Sequence, residues 1–226
     1  MSKQKLAPPQ LVTNSRMLYT SWMPADPQAA SKLLPHGPRA AGPVYMNQYV
    51  VDSEDQTTGF GAYSLTYLGL DLAGRFAPDG VTPSRYMLFY FNSSPIVRDY
   101  AKDHGLPATP GETRLELSEG RVVATTLLDG QPVIRTTARV SASIATIARG
   151  QLQYVTRLGG DFVAGNFPYI GELVSGFELL SVEFLDPSHP VYALRPKTPL
   201  EPVLGSCFYS PRDSFVYPGG EFPISF

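Results

Sequence analysis

Along most of the chain, apolar residues come in short runs of strand length separated by turn residues. Residues 44–51, 60–70 and 86–91 are rich in β-branched and aromatic side chains and read as strands. Residues 86–91 are apolar at every position, the pattern of a central strand buried on both faces. Residues 114–117, 121–128 and 133–140 predict an antiparallel meander. Glu119-Gly120 and Asp129-Gly130 are its turns, since Asp-Gly is a strong hairpin signal. Residues 151–158 and 173–184 add further strands. Helical periodicity is scarce. Asp26-Pro27 supplies an N-cap and a first-turn proline for a short helix that reaches Leu33 or Leu34 and stops before Pro35. Ser94-Pro95 opens a second helix in the same way. Its Ile96, Val97, Tyr100 and Ala101 share one face, and Gly105 ends it.

Composition supports many short strands: 22 prolines and 20 glycines are spread over 226 residues, and 43% of the chain is hydrophobic. Residues 1–13 read as a loose leader and residues 14–226 as a single domain. The net charge is −2 and no basic run occurs, which argues against nucleic acid and against an anionic membrane surface as partners. No stretch approaches the ~20 apolar residues that span a bilayer. Residues 1–10 have no apolar signal core, so the expectation is a cytoplasmic protein. Cys207 is the sole cysteine, so no internal disulfide forms, in keeping with a reducing compartment. The Asn92-Ser93-Ser94 sequon is discounted without a secretion signal.

Familiar catalytic motifs are absent. There is no His-Glu-x-x-His, no paired-cysteine motif, no phosphate-binding loop and no Gly-x-Ser-x-Gly elbow. His36, His104 and His189 lie far apart. Gly59-Phe60-Gly61 lacks the third glycine and following helix of a dinucleotide fingerprint, and reads as a bend entering a strand.

Several segments, taken in order, resemble the acetoacetate decarboxylase superfamily over nearly the whole chain. They begin with Asn14-Ser15-Arg16, the strand at 17–22, and the helix at 27–34 ending in Leu34-Pro35. Thr58-Gly59-Phe60-Gly61-Ala62-Tyr63 is similar to the family's Gly-Leu-Gly-Cys-Tyr segment. Residues 86–91 with Asn92 and Pro95 resemble its central strand and helix start, and Gly171-Glu172-Leu173 resembles a Cys-Glu-Leu segment. The resemblance implies an α+β, mainly antiparallel β fold: a closed β-barrel with a few short peripheral helices, usually assembled as a homo-oligomer. It also implies Schiff-base chemistry by a barrel lysine, with an arginine and a glutamate orienting a keto-acid carboxylate.

Carried over residue by residue, that chemistry is incomplete. The family's arginine matches Arg16, but its glutamate falls at Leu65 and its Pro-Lys-Lys at Pro107-Ala108-Thr109. No lysine lies between Lys102 and Lys197, and the chain holds five in all. Without the iminium electron sink, ordinary acetoacetate decarboxylation is not expected. Replacing Glu and Lys by Leu65 and Ala108 makes the pocket larger and more apolar.

Candidate catalytic residues are then Arg16, Tyr63 and Glu172. Arg16 has a fork suited to carboxylates, against the alternative of a surface arginine. Tyr63 offers a hydroxyl donor, against plain core. Glu172 is a possible acid or base, against a structural ion pair. Tyr19, Leu65, Tyr67, Phe89, Phe91 and Ala108 are candidates for the substrate-binding wall. His104 reads as a solvated helix-end histidine and Lys102 as part of a solvated face. No cofactor and no metal are implied.

Three functions stay open. The first is a non-Schiff-base enzyme that cyclises, dehydrates or isomerises a carbonyl-bearing, polyketide-like small molecule by proton transfer. The second is a non-catalytic small-molecule binder that kept the barrel. The third is a lyase or decarboxylase with a relocated catalytic group. Polar groups converging on one point of the pocket would favour an enzyme, and an apolar cavity with one anchoring charge would favour a carrier.

Overall fold

The computed structural model describes residues 6–226. The chain begins with strand β1 (Gln10–Trp22), helix α1 (Pro27–Ser31), β2 (Ala40–Val51), β3 (Tyr63–Phe76) and β4 (Pro83–Asn92). Helix α2 (Pro95–Asp103), β5 (Ala108–Pro110), β6 (Glu112–Ser118), β7 (Arg121–Leu128) and β8 (Gln131–Val140) follow. The last strands are β9 (Ile144–Leu158), β10 (Asp161–Val174), β11 (Phe177–Phe184), β12 (Phe208–Tyr217) and β13 (Phe222–Pro223).

The main sheet runs β12-β1-β2-β3-β4-β9-β10, and β10 pairs back onto β12, so the path closes into a barrel. Its neighbours are antiparallel except for the parallel β4–β9 join and the short parallel strand β5 beside β4. A second sheet, β11-β8-β7-β6, covers part of the outside. The fold is thus the mainly antiparallel barrel with short helices that the sequence predicts. No helix among the described residues is long and apolar enough to cross a membrane.

Strand alternation separates two cores. On β2, Tyr45, Asn47 and Tyr49 point into the barrel, while Val44, Met46 and Gln48 point to the covering sheet. Tyr45 and Tyr49 join an aromatic inner cluster, whereas Val44 and Met46 pack with Trp22, Leu68, Leu70 and Ile134. Gln48 and Thr66 extend this outer face with buried hydrogen bonds to Thr126 at 3.0 and 2.7 Å. Both faces of these strands are covered, which explains their nearly unbroken apolar sequence.

Local signals hold well. Asp26 Oδ1 accepts from the backbone N–H of Gln28 and Ala29, and Ser94 caps α2 through Val97. The meander turns have positive φ at both central residues, 49° and 73° at Glu119-Gly120 and 49° and 75° at Asp129-Gly130, as a type I′ hairpin requires. Other boundaries move. Helix α1 ends at Ser31, and Leu33 and Leu34 continue in tighter turns onto Ala30 and Ser31. Ile96 is exposed, while Val97, Tyr100 and Ala101 form the buried face of α2. The run 173–184 is split by a turn between β10 and β11, and most of β10 was not anticipated. Of the expected leader, residues 1–5 lie outside the described residues and residues 10–13 already belong to β1.

Candidate active site

One end of the barrel is plugged. The buried face of α2 closes it, and beneath lies a set of tyrosines joined through their hydroxyls. Tyr217 Oη is 2.6 Å from Tyr49 Oη and 3.2 Å from Tyr90 Oη, and Tyr49 Oη is 3.0 Å from Tyr63 Oη. Burial pushes all four hydroxyls above the ordinary tyrosine value, so they act as hydrogen-bond donors and not as anions.

The other end opens into a cavity of about 470 Å³. Its walls are rich in aromatic rings, including Tyr19, Tyr67, Phe167, Tyr169 and Phe208, and among the described residues no lysine lines it. Arg85 is the cation set deepest into this wall, whereas Arg149 and Asp79 line the cavity from exposed positions. Arg85 stands directly opposite Asp71 in the β3–β4 pairing, and its Nε donates to Asp71 Oδ1 at 2.9 Å. The rings of Tyr19 and Tyr45 lie 5.5 and 5.3 Å from the guanidinium carbon. Burial alone would lower the arginine, but the oxygens of Tyr19 and Asp71 outweigh it, so Arg85 stays charged. Burial raises the Asp71 carboxyl against the pull of Arg85. The two partners thus shift in the same direction. The geometry of the contact makes an ion pair the better description at neutral pH.

Two polar atoms of the cavity residues are buried without a partner among the described residues. Tyr19 Oη and Asn47 Oδ1 make no hydrogen bond to any described residue, and both residues line the cavity. Asn47 Nδ2 donates to Tyr67 Oη at 3.0 Å, leaving the Tyr67 proton free. Buried polar atoms in folded proteins are nearly always satisfied, so such a concentration marks where an occupant or ordered water bonds. The arrangement offers an anion site at Arg85 and hydroxyl donors around it.

The residues singled out in the sequence fall into three places. Tyr19 and Tyr67 line the cavity. Tyr63, Leu65 and Ala108 belong to the inner cluster below it, where Tyr63 bonds Tyr49, a cavity residue, and Ala108 pairs with Tyr90. Arg16, Glu172, Phe89 and Phe91 lie elsewhere. Arg16 alternates with the inward-facing Met17, so it points out of the barrel, where Nε and Nη2 grip Asp52 at 2.8 and 2.6 Å and Nη1 donates to the Leu115 carbonyl. Glu172 likewise pairs with Arg212 at 2.6 Å on the outside. Phe89 and Phe91 stack on each other in the outer core, because a register shift near Leu88 puts Met87 and Tyr90 inward instead. His104 is mostly buried, with Nδ1 2.9 Å from Glu221 and its ring against Tyr100, and Lys102 is exposed.

Arg85, Asp71 and Asn47 were not anticipated. A faint signal exists: Asp71 directly follows the run 60–70 and Arg85 directly precedes the run 86–91, so opposite charges bound the apolar runs of two neighbouring strands.

No protein-family model matches the sequence, and no curated protein matches it. Solved structures do. The chain superposes on an acetoacetate decarboxylase with a TM-score of 0.71 at 13% identity, covering 99% of this chain and 92% of that one. An acetoacetate decarboxylase from Legionella pneumophila gives 0.72 at 13% identity, over 97% and 88%. The enduracididine biosynthesis enzyme MppR complexed with pyruvate gives 0.67 at 13%, over 99% and 93%. At this identity, what is shared is the fold.

Proposed function

Proceeding from an acetoacetate decarboxylase-like fold, we propose that this protein is an enzyme that holds a carboxylated, carbonyl-bearing small molecule without a covalent bond and labilises the hydrogen on the carbon next to the carbonyl. The observation that carries the reading is the convergence of Arg85, the unpartnered Tyr19 hydroxyl and the Tyr67 hydroxyl on one aromatic cavity. Arg85 anchors the negative charge with a planar fork suited to carboxylates. The tyrosines donate to the carbonyl oxygen. As a C–H proton leaves to water, its electron pair moves into an enolate, whose oxygen these donors stabilise in a low-dielectric wall. Enolates of this kind lead to isomerisation, dehydration or cyclisation. The cavity volume and aromatic lining suit a ring-bearing or polyketide-like molecule.

Two further points support the reading. A protein of the same fold was solved with pyruvate bound, a small keto acid. And several polar groups meet at one point of the cavity, where a carrier needs only one anchor. The proposal is tested by incubating the protein with pyruvate, acetoacetate and phenylpyruvate in D2O and following deuterium entry next to the carbonyl by proton NMR. Exchange above the buffer rate that is lost in Arg85→Met supports the enzyme. Tight binding with no exchange for any acid would instead make the protein a binder.

A further inference from the structure

On the inward face of β12, next to the cavity wall, a carboxylic acid is enclosed with nothing bonded to it. Asp213 has no solvent exposure, and among the described residues neither of its carboxyl oxygens has a hydrogen-bond partner. Its position is built. Between the pairs Ser15–Asp213 and Met17–Ser210, β12 advances three residues while β1 advances two, a β-bulge. The bulge turns Arg212 outward to Glu172 and brings Asp213 onto the same inner face as Phe215 and Tyr217. Across the ladder the partner of Asp213 is Gly171, where a Cβ would stand 2.2 Å from Asp213 Oδ2. The glycine makes the room that the carboxyl occupies.

Among the described residues, no charge compensates this group. Arg16 on β1 points outward to Asp52, Arg212 on β12 and Glu172 on β10 bind each other outside, and Arg85 on β4 is held by Asp71. Ser15 Oγ donates to the Asp213 backbone carbonyl and not to its side chain, and Ser210 Oγ is itself unpartnered. The titratable groups that sense Asp213 are Tyr67 on β3 and Tyr169 on β10, both on the cavity wall.

We propose that Asp213 is a positioning residue of the cavity: while neutral it leaves the Tyr67 hydroxyl able to donate to an anionic occupant, and its ionisation closes the site to carboxylates and enolates. The inference rests on the function proposed above for this cavity. Burial alone pushes the Asp213 carboxyl up to about 8, so the neutral form prevails at neutral pH. Once ionised, its charge raises the Tyr67 hydroxyl further, weakening it as a donor, and repels the negative charge that Arg85 attracts.

The test compares wild type with Asp213→Asn, a permanently neutral shape mimic, using pyruvate as probe from pH 6 to 10. Binding is read by calorimetry and exchange by NMR in D2O. In wild type, affinity and exchange above the buffer rate should fall about tenfold per pH unit beyond pH ~8, the slope of a single ionisation. Asp213→Asn should match wild type at pH 7 and lose this alkaline limb. Loss of both readouts in the variant at pH 7, or persistence of the limb, overturns the proposal. Carbon-13 NMR of the aspartate carboxyls in wild type gives a readout independent of any ligand. A resonance that titrates near 8 and vanishes in the variant supports the assignment, and its absence overturns it. Failure of wild type to bind or exchange pyruvate at any pH, with that resonance present, counts against the proposed function and leaves the carboxyl's assignment intact.

Discussion

Asp71 and Arg85 face each other across β3 and β4, and Asp71 Oδ1 holds Arg85 Nε at 2.9 Å beside the rings of Tyr19 and Tyr45. The pair fixes the guanidinium in place and leaves its outer nitrogens to the cavity. Arg85→Met removes the anion site and strands a buried carboxylate, which costs ~3–5 kcal/mol when one partner of a buried pair is lost. Urea unfolding at pH 7 should show that loss. At pH 4 it should shrink, because an unpaired Asp71 takes up a proton. Arg85→Met with Asp71→Leu should recover most of the stability and none of the carboxylate binding.

Arg16→Ala separates this site from the one that resemblance to the family points to. Arg16 is partly exposed and bonds Asp52 outside the barrel. Exposed pairs contribute ~0–1 kcal/mol. The variant should bind and exchange keto acids as wild type does, with a small drop in Tm. Abolished binding would move the site away from Arg85.

Asp213 also predicts how stability depends on pH. Its folded value, about 8, lies above its ordinary value of 3.8, so the folded state binds the extra proton. Its contribution is fully present below pH ~4, declines as pH rises towards 8, and is then constant. Relative to Asp213→Asn, wild type should lose roughly 4 kcal/mol between pH 4 and pH 7. Parallel unfolding curves across that range would show that the carboxyl finds a donor or water.

Borohydride reduction with each keto acid, read by intact mass, should leave the protein unmodified. Among the described residues no lysine lines the cavity, and Lys197 is paired with Glu201 away from it. A stable adduct mapping to Lys102 would return the protein to Schiff-base chemistry through a relocated amine.

Much of this molecule follows from local rules. Asp26-Pro27 and Ser94-Pro95 start helices because their side chains satisfy free N–H groups, and Glu119-Gly120 and Asp129-Gly130 turn because they tolerate positive φ. The strand runs were legible for the same reason: their residues suit a pleated, buried surface whatever lies beyond it. The absence of a lysine from the middle of the chain was equally plain. Which face of each strand meets the cavity was not, because period-two alternation marks two faces and does not say what covers either. Resemblance makes Arg16 a candidate for the pocket against the alternative of a surface arginine, but its neighbours Met17 and Tyr19 take the interior. A register shift near Leu88 sends Phe89 and Phe91 outward, and a bulge on β12 sends Asp213 in. Those single-residue slips depend on how neighbouring strands pair across the closed barrel. Only the tertiary structure decided them, and with them the charges that make the site.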